Sequence, residues 1–431
     1  DEARLGKEAF PVINARNNYG VVQHLFGTPR KGIINLEEAV RSLEKLASQT
    51  PLPEGWSSES IEYYLQSAFH NLGALYARVG DYEEAKRVYH KVITIKEKIP
   101  GTSPDYLTPS YEELGNVLMK TGAYSEAKTW FEKALSTIQM SSEPHLGRKA
   151  RYLNKIASAL LEMGELELAK EKAQESMTKG GQDNYARNLE ILASVHMLQA
   201  AYGEAEVAIL KALSLAWNKP SGKKADISRL YRLLGECHLA LGRHEDAIED
   251  MNAACIPLAT NCVDVRNPFY FPQPDSIILP LDVIRLLETK ANLVDELREV
   301  GIFNEQERRD HNAKAYSLAL GMCIEQVRSF RAEGSKLFWT DKMHHIVVKQ
   351  IALQAQIYED NDEQSAIEDA LVAAEILKAS VLKEAIQDAQ ALRLSSVPTS
   401  LSFRVQELKM KSMCPVIMLM LLEIEMQASS M

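Results

Sequence analysis

The chain has 431 residues, 46% apolar and 25% charged, with 21 glycines, 16 prolines and a formal net charge of −10. That length suits two or three ordinary domains or one elongated repeat array, and the composition excludes collagen-like and disordered classes. The acidic balance argues against binding nucleic acid, which requires a basic face to neutralise phosphates.

Residues 1–59 read as an N-terminal extension, with a capping helix predicted over 36–49. Within the extension, Gly27-Thr28-Pro29-Arg30-Lys31-Gly32 lacks the order of a phosphate-binding loop, and Pro29 lacks an amide that such a loop needs. The sequence begins at Asp1, which leaves room for a removed targeting peptide.

Residues 60–257 align with themselves five times. Small residues recur at Gly73, Gly115, Ala157, Ala193 and Gly235, at successive offsets of 42, 42, 36 and 42. Seven residues after each stands Gly80, Gly122, Gly164, Ala200 or Gly242, and five further on Ala85, Ala127, Ala169, Ala205 or Ala247. The spacing predicts five helix pairs. The first small residue permits two helices to cross closely, the second position stops the first helix in a left-handed backbone, and the alanine repeats the size limit on the second helix. Four residues past each alanine, Tyr89, Phe131, Ala173, Ile209 and Met251 share its face and are predicted to fill the space between units.

Residues 258–283 follow as a loop rich in proline and aromatic residues, and proline at that density opposes helix. Loops of this length are uncommon in repeat arrays unless they dock, so Phe269, Tyr270 and Phe271 are its candidate contacts. Two degenerate helix pairs are predicted over 284–395, the first with Leu293, Leu297, Gly301 and Ala313 loosely in phase, the second turning near Asp360-Asn361-Asp362. A Met-rich tail occupies 396–431, and its apolar run from Pro415 to Leu422 is too short to span a membrane.

The pattern across 60–257 resembles the tetratricopeptide repeat, in the long form found in kinesin light chains. That resemblance implies an all-α, right-handed α-solenoid of tandem helix pairs, with the first helices lining a concave groove that binds other proteins. A second resemblance lies in Ala374-Glu375-Ile376-Leu377-Lys378-Ala379-Ser380-Val381-Leu382 and on through Val397-Pro398-Thr399-Ser400-Leu401 to Leu408. This stretch looks like the region preceding caspase-like CHAT protease domains. Only 23 residues follow Leu408, with Cys414 and no histidine, so protease activity is not expected and the match implies at most the regulatory arm of such a protease.

No catalytic, cofactor or metal signature emerges. The five cysteines, Cys237, Cys255, Cys262, Cys323 and Cys414, have no metal or disulfide spacing and read as buried thiols of a reducing compartment. His344 and His345 are adjacent, and helix neighbours point about 100° apart, which suits no shared ion.

The groove face is more informative. Six residues before each crossing position come Ser67, Pro109, Arg151, Arg187 and Arg229, and three before it come His70, Glu112, Asn154, Glu190 and Arg232. One after it, Asn116, Ser158 and Ser194 add polar groups. Arginine forks match carboxylates, so Arg151, Arg187, Arg229 and Arg232 are candidates to grip an acidic or C-terminal carboxylate-bearing segment. Pairing with acidic neighbours such as Glu190 is the other use open to them. The expectation is a non-catalytic, cytoplasmic scaffold or adaptor, or a subunit of a larger complex, whose partner is another protein.

Overall fold

The structure, a computed structural model, describes residues 10–26, 29–52, 56–98, 106–139, 145–179, 184–218, 224–258, 270–273, 277, 280–329, 333–361 and 364–376. It is all-α, with a solenoid of helix pairs in its first part, and no strand is present among the described residues. The helices are α1 Phe10–Phe26, α2 Pro29–Ala47, α3 Ser58–Val79, α4 Tyr82–Lys98, α5 Thr108–Thr121, α6 Tyr124–Gln139, α7 Leu146–Glu162 and α8 Leu166–Lys179. They continue with α9 Tyr185–Leu198, α10 Tyr202–Trp217, α11 Lys224–Ala240, α12 His244–Ala253, α13 Pro280–Glu299, α14 Glu305–Ser329, α15 Glu333–Asn361 and α16 over 364–376. Two compact units divide the chain, Asp1–Leu293 with Gln326–Phe338, and Val294–Glu325 with Trp339–Met431.

In the first unit, α3 to α12 pack as consecutive helix pairs, α3 on α4 through α11 on α12. One backbone device makes every turn inside a pair. The amides of Asp81, Ala123, Glu165, Ala201 and Arg243 donate to the carbonyls of Tyr76, Leu118, Leu160, His196 and His238, at 2.8–3.0 Å. The same five residues then offer their own carbonyls to the amides of Ala85, Ala127, Ala169, Ala205 and Ala247 and open the next helix. One residue thus closes a helix and starts another, which keeps the turn short.

The residue before it must be left-handed. Gly80, Gly122, Gly164 and Gly242 have φ between 73° and 85°, whereas the fourth copy places Ala200 there at φ 57°. A Cβ in this region costs about 1–2 kcal/mol, partly offset by the greater freedom of glycine in the unfolded chain. Ala200→Gly is therefore expected to stabilise the protein by about 0.5–1 kcal/mol, read as an upward shift in the urea midpoint.

The crossing residues lie where the sequence pattern puts them. A Cβ on Gly73 would come within 2.8 Å of the Tyr89 ring, one on Gly115 within 2.8 Å of three Phe131 ring atoms, and one on Gly235 within 3.1 Å of Met251. Tyr89, Phe131 and Met251 each pack against the first helix of their own pair, where the missing side chain opens a slot for the large one on the second. Phe131 also meets the next unit, the Lys155 ammonium standing 5.5 Å over its ring. Ala157 and Ala193 are fully buried at the matching positions of α7 and α9.

The expected capping helix at 36–49 corresponds to α2, which ends at Ala47 and begins earlier, at Pro29, the N-terminal position where a proline is tolerated. Cys237, Cys255 and Cys323 are buried free thiols, and Cys262 and Cys414 lie outside the described residues. His238 joins three helices of the first unit, its two ring nitrogens facing Asp250 at 2.7 Å and Glu206 at 3.2 Å.

In the second unit, a reciprocal cap starts α14. The Glu307 amide donates to Asn304 Oδ1 and the Asn304 amide to Glu307 Oε2, both at 2.9 Å. Glu305 accepts from Arg298 at 2.8 Å and from Arg309 at 3.0 Å. Its hydrogen bond with Arg308, aided by Arg298 and opposed by desolvation, lowers its pKa to about 2. An unfolded glutamate titrates near about 4.3, so this stabilisation is complete above that value and is lost as pH falls through the folded pKa. Glu305→Gln is expected to remove part of the acid-induced loss of stability over that window, as measured by urea melts at stepped pH.

Candidate functional site: the face of the first helices

The first helices α3, α5, α7, α9 and α11 carry the candidate groove residues, and their charged side chains pair from one unit to the next. Arg151 on α7 lies 3.5 Å from Glu112 on α5, and Lys155 lies 3.4 Å from the same carboxylate. Lys155 also donates to Asn116 Oδ1 at 2.6 Å, and Asn116 donates to Glu113 at 3.2 Å. Further along, Arg187 on α9 donates to Asp226 on α11 at 3.0 Å. Arg229 donates to Glu190 at 2.8 Å and 3.4 Å and to Asp226 at 2.7 Å. Arg232 pairs within α11 with Glu236 at 2.6 Å.

Four of the cross-unit pairs share one spacing. Glu112 with Arg151, Asn116 with Lys155, Arg187 with Asp226 and Glu190 with Arg229 are each 39 residues apart. Where the repeat offset is 42, this joins a residue to one lying about one helical turn before its own counterpart, whereas Lys155 with Glu112 spans 43. Of the two uses open to the arginines, pairing with acidic neighbours is the one observed here.

Burial by itself would raise the Asp226 pKa, but Arg229 and Arg187 outweigh it and hold the carboxyl below its ordinary range. Glu190, against opposing desolvation and with help from Asp226, keeps the Arg229 guanidinium firmly charged. Burial pushes the Lys155 amine down, with Glu112 acting against it. His70 sits edge-on to Tyr89, 5.9 Å between ring centroids, and burial lowers its pKa although Glu113 opposes the shift.

The remaining candidates divide. Ser158 and Ser194 are half-buried on α7 and α9. Asn154 is only 2% exposed and cannot meet a partner from the surface. It donates to Asn188 at 2.7 Å, Asn188 donates to Ser176 at 2.9 Å, and Ser176 donates to the Ala150 carbonyl at 2.6 Å. This buried relay sews α7, α8 and α9 together, which explains a polar residue in the core. In the proposed docking loop, Phe269 lies outside the described residues. Phe271 is buried beneath Lys290, whose ammonium stands 5.1 Å over its ring and donates to the Tyr270 carbonyl at 2.6 Å. These two residues thus meet their own chain, since a buried lysine needs a carbonyl and a ring face to replace water.

Sequence reasoning did not single out Lys155 or Asp226. A scan for opposite charges at the repeat offset less one helical turn would have found Asp226.

Among the described residues no His, Cys, Asp or Glu cluster can hold a metal ion, and no helix is long and apolar enough to cross a membrane. Of the segment resembling the CHAT-preceding region, only residues 374–376 are described.

Family models described as tetratricopeptide repeat match residues 65–103 and 106–178. No curated protein sequence matches the chain. Among solved structures, the apo form of RapI is similar with a TM-score of 0.48 at 12% identity, covering 74% of this chain and 99% of its own. The apo quorum sensor NprR from B. thuringiensis gives 0.47 at 12% identity, with 72% and 87% covered. BtubC (BKLC) from P. vanneervenii gives 0.41 at 19% identity, with 53% and 91% covered.

Proposed function

From the tetratricopeptide-repeat matches over 65–103 and 106–178, we propose that this chain is a non-catalytic scaffold holding a segment of another protein along the face of its first helices. One observation carries the reading, namely that the cations of that face are only partly engaged. Arg151, Arg187 and Arg232 each direct one nitrogen at an internal carboxylate, and a guanidinium has five N–H donors. A partner carboxylate, from an acidic segment or a chain terminus, fits the donors that remain, with His70, Asn116, Ser158 and Ser194 as polar neighbours. Arg229, bonded to two carboxylates, fixes the ladder in place.

The assignment that follows makes 60–257 the recognition body, 1–59 its cap, and 258–283, 284–395 and 396–431 a connecting loop, two further helix pairs and a tail. A place as an adaptor or subunit of a cytoplasmic complex suits that arrangement.

Affinity purification with mass spectrometry identifies the partner. Arg151→Glu combined with Arg187→Glu is then expected to weaken binding of the identified segment about tenfold or more, by isothermal titration calorimetry. Unchanged affinity in a folded double variant removes the reading.

A further inference from the structure

We infer that the cleft between α2 and the α3–α4 pair is a second docking site, opposite the first-helix face, for a short acidic peptide segment bearing bulky apolar side chains. At about 100° per residue, Phe69, Leu72 and Tyr76 lie roughly across α3 from Ser67, His70 and Ala74. They floor a cavity of about 570 Å³, walled by Ile33, Ile34 and Val40 of α2. Along α2 the lining runs from Arg30 to Glu44, about 20 Å, which accommodates roughly six residues of extended chain.

The Lys91 ammonium stands 5.1 Å over the Phe69 ring at the floor of this cleft, and Ile34 is 52% exposed at its edge.

The charge arrangement selects the occupant. Arg41 pairs with Glu37 and Arg87 with Glu84, and in both pairs the cation projects. The side chains of Arg41 and Arg87 are 68% and 54% exposed, against 21% and 25% for their carboxylates. Asp81 is buried, and Arg30 adds an exposed cation at the end of the trough. Lys91 and Glu44 are also exposed at the rim and pair with each other at 3.3 Å, so the cations in excess there are Arg30, Arg41 and Arg87, which favours carboxylates alternating with large apolar side chains.

The test uses the full chain and a fluorescein-labelled synthetic hexapeptide of glutamate alternating with leucine and phenylalanine, read by fluorescence anisotropy. A matched peptide with lysine replacing glutamate, and laurate as a competitor, complete the set. The acidic peptide is expected to bind and the basic one not. Ile34→Glu with Arg41→Glu, both at exposed positions, should weaken binding about tenfold or more, whereas Arg187→Glu should leave it unchanged. Hydrogen exchange should show protection over 30–44 and 84–91. Equal binding of both peptides, or full affinity in the Ile34→Glu, Arg41→Glu variant, overturns the inference. Loss only in Arg187→Glu places the peptide on the first-helix face, which sinks this inference and leaves the proposed function standing. Laurate binding in place of the acidic peptide makes the trough a site for a small amphiphile and likewise overturns it.

Discussion

Gly115→Val is expected to lower stability by about 2–3 kcal/mol, the largest loss from any single added side chain in the repeats. Of the three crossing glycines, Gly115 is the tightest, its Cβ position lying against three atoms of the Phe131 ring. Phe131 is buried and cannot swing out without emptying its own slot. Alanine substitutions should therefore rank by severity as Gly115, then Gly73, then Gly235, because at Gly235 the nearest atoms, on Met251 and the Ala247 carbonyl, stand farther off, at 3.1 Å. Pairing Gly115→Ala with Phe131→Leu should recover part of the loss, and a double-mutant cycle in urea measures that coupling. If Gly115→Val melts like the parent protein, the crossing is not where the geometry places it. Added side chains at Gly122 or Gly242 meet open space and are penalised only through their backbone angle, so their effect should be smaller.

Arg229→Ala is expected to cost about 2 kcal/mol, reduced from the figure for a fully buried pair because the site is partly open to water. The substitution strands Glu190 and Asp226 with Arg187 as the one remaining cation bonded to Asp226. Arg187→Ala removes a single bond and should cost less than about 1 kcal/mol. The contrast separates the residue that positions the ladder from those available to a partner. Chemical denaturation followed by circular dichroism at neutral pH gives both numbers. Equal losses for the two arginines would count against that division of roles. The Asp226 carboxyl is held below its ordinary range, so its contribution is fully present at neutral pH and is lost as pH falls through its lowered pKa.

The helix pairs were legible in the residues because the signal is steric and local. A turn of this geometry demands a left-handed backbone at Gly80, Gly122, Gly164 and Gly242, and a close crossing demands the absence of a side chain at Gly73, Gly115 and Gly235. Both demands leave the same residue type at the same interval, so the period itself reports the architecture. Ala200 breaks the glycine rule and keeps the turn, since its neighbours supply the same hydrogen bonds.

The array of paired helices and the face that carries its arginines follow from the residues alone. Which carboxylate each arginine meets, and that Asn154 and Phe271 are enclosed, emerges only in the folded chain. The difference is one of range. Backbone sterics act over a few residues and leave a mark at fixed spacing, whereas an ion pair across units depends on how two neighbouring helices lie side by side, which no local pattern encodes.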